Sequence, residues 1–142
     1  MEVKKSARKS WDKTGGDAVK WLLDTGATIH ADFSGEGVSD EKSSTTLIKV
    51  ADGTKVPVRG VGVKTLKAGS TGHSLLIKEM HVIPTFLKRI LSVTKLIDDG
   101  FKVSFLPTKA TINDQSGKTI SCPRDPEDYT ISIGSILQTQ AL

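Results

Sequence analysis

A single cysteine, Cys122, stands in the 142-residue sequence, so neither an internal disulfide nor a multi-cysteine metal site can form. Such sparing use fits a reducing compartment. Aromatic residues are scarce, with four Phe, two Trp and one Tyr, so aliphatic and β-branched side chains must do most of the packing. No apolar run approaches the roughly 20 residues that span a bilayer, and the first residues lack the apolar core of a secretion signal. No membrane partner is therefore expected, and a cytoplasmic location is. His30, His73 and His81 lie far apart with no compact Asp, Glu or Cys cluster to join them, so neither a metal nor a cofactor is expected. His30 follows the Asp24 loop and could pack near a pocket wall, but a partly exposed structural histidine is the expectation. Gly60-Val61-Gly62 lacks the strand–loop–helix frame and the Lys-Ser/Thr ending of a phosphate cradle. The serines lack a nucleophile elbow and Cys122 lacks an activating neighbour, which argues against serine or cysteine nucleophiles.

What is present is one domain's worth of chain, 37% hydrophobic, with a net charge of +4 unevenly spread. Residues 1–17 are polar, with Lys4, Lys5, Arg8, Lys9 and Lys13 against Glu2, Asp12 and Asp17. They read as a flexible basic arm, a solubilising linker whose residues 4–13 could also attract nucleic-acid phosphates. At Val19-Lys20-Trp21-Leu22-Leu23 the texture changes to a short β-like run that stops at Asp24-Thr25-Gly26-Ala27. Thr45–Ala51 and Lys55–Val63 flank Asp52-Gly53, a hairpin signal, with a slip or bulge near Gly60. Leu75–Val82, Phe101–Leu106 and Ala110–Asn113 add strands, and Leu91–Ile97 reads as a short helix ended by Asp98-Asp99-Gly100. About seven strands and one short helix make an all-β closed or partly closed domain, assigned to residues 18–121. Residues 122–142 form an extension with an edge strand at Tyr129–Ile133 and a frayed tail from 134.

The chemistry centres on Asp24. Hydrolysis of a peptide by water needs a base to activate the nucleophile and an acid to protonate the leaving group. Two carboxylates sharing one proton supply both, because their like charges drive the apparent pKa values apart. With one Asp-Thr-Gly in the chain, a twofold dimer would have to set Asp24 opposite its symmetry mate. In that arrangement Thr25 would brace the loop across the axis, Gly26 would let the backbone donate to the carboxylate, and Ala27 would be small enough to sit beside it. Asp-Thr-Gly alone also fits an ordinary Asx turn; its place after a tight apolar strand is what raises its significance.

Trp21-Leu22-Leu23-Asp24-Thr25-Gly26-Ala27, Val50-Ala51-Asp52-Gly53, Val58-Arg59-Gly60-Val61-Gly62 and Ile90-Leu91-Ser92-Val93-Thr94-Lys95-Leu96 with Asp99-Gly100-Phe101 occur in this order. Together they resemble the protease region of copia-type retrotransposon polyproteins over about residues 19–121. The resemblance implies a retropepsin-like acid protease barrel, each chain being a one-motif protomer of a homodimeric aspartic endopeptidase that cuts its own polyprotein, within a virus-like particle. It implies catalytic roles for Asp24, Thr25 and Gly26, and a substrate-closing flap at the hairpin. Ile90-Leu91-Ser92 resembles the hydrophobic-hydrophobic-Gly segment that backs the catalytic loop, with Ser92 in place of Gly. Substrate would bind as an extended peptide, with Ala27, Ala51, Asp52, Gly53, Val61 and Leu91, together with Ile48, expected to line its groove. The competing expectation is a catalytically silent β-domain for peptide binding or particle assembly.

Overall fold

Short β-branched and aliphatic runs, each cut by a turn, become strands wherever alternate side chains find a core. The computed structural model describes residues 19–67, 73–127 and 130–135; the amino-terminal arm and the tail beyond 135 lie outside the described residues. β1 (Val19–Asp24) buries Trp21 and Leu23 on one face. β2 (His30–Asp32) is three residues long and wholly buried. β3 (Ser39–Ser43) is polar and largely exposed. β4 (Leu47–Lys49) and β5 (Lys55–Pro57) form the hairpin expected around Asp52-Gly53. There Gly53 takes φ 90°, and the Asp52 carboxylate accepts the Thr54 N–H at 2.8 Å.

The slip expected near Gly60 is a change of sheet. Val58 donates its N–H to Thr46 in the hairpin (3.0 Å), whereas Arg59 donates to Val82 (2.8 Å), so the chain crosses from one sheet to another between them. β6 (Gly60–Lys67) then pairs antiparallel with β7 (Ser74–Val82), with a register shift between Gly62 and Lys64. β8 (Ile90–Ser92) leads directly into α1 (Val93–Asp98), the expected helix, which Ser92 caps by accepting the Lys95 N–H. β9 (Lys102–Phe105), β10 (Lys109–Asn113) and β11 (Thr119–Pro123) make a three-stranded sheet. β12 (Thr130–Ser135) returns to pair with β1, Val19 opposite Ile133 and Leu22 opposite Thr130.

The main sheet runs β12-β1-β8-β2-β7-β6-β3. The all-β class, seven strands in this sheet and the short helix agree with expectation, but the retropepsin-like acid protease barrel does not form. The described strands divide among three sheets, and the main one is not closed into a barrel. The reason is a shared edge. A strand has two pairing edges; one of β6 is taken by β7, and β3 occupies the other at Gly60, Val61 and Val63. Among the described residues β12 meets β6 at Leu66 and Lys67, paired with Ser135 and Gly134. These two residue pairs bring β12 against the penultimate strand β6 without making the ladder continuous.

The main core gathers Trp21, Leu66, Leu75, Met80, Leu91 and Leu96 with the inward faces of β10 and β11. A second, smaller cluster of Ala31, Val58 and Ile83 lies against Ile48 and Val56 of the hairpin and against Phe86 and Ile90. This second cluster joins the hairpin to β2 and to β8, the partner of the strand that carries Asp24.

Candidate functional site around Asp24

β1 delivers Asp24 to the end of a parallel pair in which Leu23 faces Leu91 and Asp24 faces Ser92. Asp24 is half-buried and Thr25 and Gly26 are exposed, so the loop is presented outward. The Gly26 N–H donates to Asp24 Oδ1 at 2.8 Å, an Asx turn that fixes the carboxylate to its own loop. A Cβ at Gly26 would meet Asp24 Oδ1 at 3.5 Å, ordinary contact, so this hydrogen bond does not itself demand glycine.

Ser92 locks the loop from behind. Its Oγ donates to the Ala27 carbonyl at 2.6 Å, and Thr94 Oγ1 donates to the same oxygen at 3.1 Å. Standing where the hydrophobic-hydrophobic-Gly segment has its glycine, the serine thus supplies both a cap for α1 and a clamp on the loop. The Ser92 N–H donates in turn to His30 Nδ1 at 3.0 Å. His30 is completely buried, correcting the expectation of a partly exposed histidine. Burial lowers its pKa to about 4; Asp99 works against that shift, Lys95 and His81 add to it, and Glu79 opposes it.

A second set of contacts steadies the same strands. Asp32, fully buried, accepts the Ser34 N–H at 3.0 Å and lies 3.2 Å from Arg89 Nε and 3.3 Å from Lys64 Nζ. Arg89 stacks 4.4 Å over the Phe33 ring, and its carbonyl accepts the Leu22 N–H at 2.8 Å. A charge cluster with no contact to the Asp24 carboxylate thus holds β1, β2 and β6 in relation to one another.

Beside the loop opens a pocket of about 180 Å³. Gly26, Ala27, Thr28 and Ile29 form one wall, Ile48, Lys49 and Val50 of the hairpin another, and Ala31, Phe86 and Ile90 complete the lining. Of the residues expected along a groove, Ala27 and Ile48 line this pocket. Ala51, Asp52 and Gly53 lie exposed in the turn that follows Val50. Val61 packs half-buried on the second cluster, and Leu91 is wholly buried in the main core, away from the pocket lining. Phe86 carries no sequence signal, and Ile90, singled out with Leu91 and Ser92, was not expected to line the groove, because they sit in and after an irregular segment following Pro84, where no periodicity marks an inward face. Among the described residues no group of His, Cys, Asp and Glu could hold a metal, and no second carboxylate completes a dyad with Asp24.

An all-β domain with an outward-facing carboxylate loop, clamped from beneath and flanked by an apolar pocket, is the class that fold and site define. The chain belongs to the family described as Pol polyprotein, beta-barrel domain, matched over residues 21–101. That segment starts within β1 and ends before the three-stranded sheet, so it contains the Asp24 loop, the hairpin and Ser92. The match agrees with a retrotransposon Pol-derived fragment, and the family's description specifies no protease. No curated protein and no solved structure matches the chain.

Proposed function

We propose that this domain grips an extended peptide between the Asp24 loop and the hairpin, and that two copies meeting at Asp24 turn the grip into an aspartic endopeptidase acting on a Pol polyprotein. The observation that carries the reading is the pocket itself, whose walls are the catalytic-loop candidates Gly26 and Ala27 on one side and the flap candidates Ile48 and Val50 on the other. A side chain seated there would bring its peptide bond close to the Asp24 loop, and backbone pairing with the hairpin would hold the strand extended. Each chain offers one Asp-Thr-Gly carboxylate. A water-activating pair sharing a proton therefore needs the partner's Asp24, and the exposure of Thr25 and Gly26 leaves the loop available for twofold contact.

The family match, whose description names a Pol polyprotein beta-barrel domain and no protease, favours a second reading, as does the lack of a dyad among the described residues. The domain would then bind peptide, or help assemble a particle, without cutting. Both readings are tested together by incubating wild type and Asp24→Ala with a polyprotein segment or a diverse peptide library from mildly acidic to neutral pH. Cleavage is followed by mass spectrometry, peptide binding by fluorescence polarisation and association by sedimentation. Cleavage by wild type alone supports the endopeptidase. Binding without cleavage, at concentrations where dimers are present, supports the silent domain; neither binding nor cleavage overturns both.

A further inference from the structure

We infer that His30 is the positioning residue of the Asp24 loop: a neutral imidazole whose Nδ1 holds the Ser92 backbone and, through Ser92, keeps the Ala27 carbonyl and the end of β1 in place. The inference rests on the proposed function only in taking Asp24 as the working group.

The geometry assigns the tautomer. A backbone N–H needs an acceptor, so Nδ1, 3.0 Å from the Ser92 nitrogen, carries no proton, and the proton of the neutral ring sits on Nε2. Nε2 is buried without a hydrogen-bond partner among the described residues. An orphaned buried donor is costly, and an aliphatic side chain would fill this space without one. The imidazole is therefore poorly explained by packing and well explained by the acceptor it offers Ser92.

Ser92 is where three constraints meet. Its Cα is paired with Asp24, its hydroxyl donates to Ala27, and the same hydroxyl accepts the Lys95 N–H at the start of α1. The charged and titratable groups that act on His30 are His81 and Glu79 of β7, Lys95 of α1 and Asp99 at its end. A proton arriving on Nδ1 would set donor against donor at Ser92, and the clamp on the loop would lose its anchor. The same proton is disfavoured by burial, which keeps the acceptor available down to mildly acid conditions.

The test uses the full chain and amide hydrogen exchange by NMR. His30→Leu removes the acceptor but keeps apolar bulk, whereas His30→Asn places a carbonyl oxygen where Nδ1 stood. Exchange at Ser92, relative to amides of β10, should accelerate about tenfold in His30→Leu, the loss of one hydrogen bond, and return toward wild type in His30→Asn. In wild type, nitrogen shifts should report the Nε2–H tautomer at neutral pH, and the Ser92 amide should titrate together with His30, a titration absent from His30→Asn. Unchanged Ser92 exchange in His30→Leu, or no recovery in His30→Asn, overturns the assignment. So does an Nδ1–H tautomer in wild type, which needs no variant to fold. Failure of the functional reading is separable: wild type would then cleave nothing while Ser92 still depended on His30. Asp24-dependent cleavage with Ser92 exchange indifferent to His30 would overturn this inference alone.

Discussion

Asp32 is fully buried among two cations and a backbone amide, and it is the carboxylate that both cations face. Removing one member of a buried ion cluster leaves the others uncompensated. Asp32→Ala, which leaves the 7% exposed Lys64 with the Glu36 carbonyl but without its counter-charge, should cost about 3–5 kcal/mol in urea unfolding. His30 makes a different demand. Its folded pKa of about 4 lies below the ordinary 6.5, so as pH falls through 6.5 the unfolded chain takes up a proton that the folded chain refuses. Stability should therefore decline from pH 6.5 to about 4, by on the order of 3 kcal/mol in all, and then level off for this group. Urea midpoints across that window should show the slope in wild type and its loss in His30→Asn, with the carboxylate contribution at lower pH remaining. At this scale Asp24 was legible because its triplet follows an apolar strand. His30 was not, because only the three-residue parallel pairing of β2 with β7 reveals that its ring points inward.

Among the elements, β6 shows how a glycine pattern serves packing. β3 crosses so near that a Cβ at Gly62 would lie 2.5 Å from Val38 Cγ1 and 2.6 Å from the Ser39 carbonyl. Gly62→Ala should force β3 away and cost about 1–3 kcal/mol, measured as a fall in thermal midpoint together with faster amide exchange in residues 39–43. The hairpin was readable from Asp52-Gly53, since a residue at φ 90° calls for glycine. α1 was readable from its apolar spacing and its Asp-Asp-Gly stop. β3 was not: Ser39-Asp40-Glu41-Lys42-Ser43 carries no apolar alternation, and its pairing is imposed by β6 instead of by its own propensity. Likewise, the division of Lys55–Val63 between two sheets depends on which carbonyl each of two successive N–H groups meets, a tertiary matter that strand periodicity does not encode.

For the whole molecule, the sequence carried the all-β class and the number of principal strands, and misled on closure. Closure turns on how β3 and β12 divide one edge of β6, and neither the polar β3 nor the distant β12 announces its partner in sequence. β12 nevertheless supplies a neighbour for β1 and places Ile131, 1% exposed, in the main core. Deleting residues 128–142 should abolish the cooperative thermal transition, because losing one buried Ile alone costs about 2–5 kcal/mol of a total near 5–15. Survival of a sharp melt in the truncated chain would mean that β1 is held by β8 alone.

The pairing of Val19 with Ile133 also orders events in time. A ribosome delivers β1 first among the described strands, yet one flank of β1 waits for β8 and the other for β12. At about 5–20 residues per second, translation leaves Asp24 on an incomplete strand for on the order of ten seconds. The loop that carries Asp24 thus gains both flanking strands only after the rest of the domain has been made, a delay written into the strand order itself.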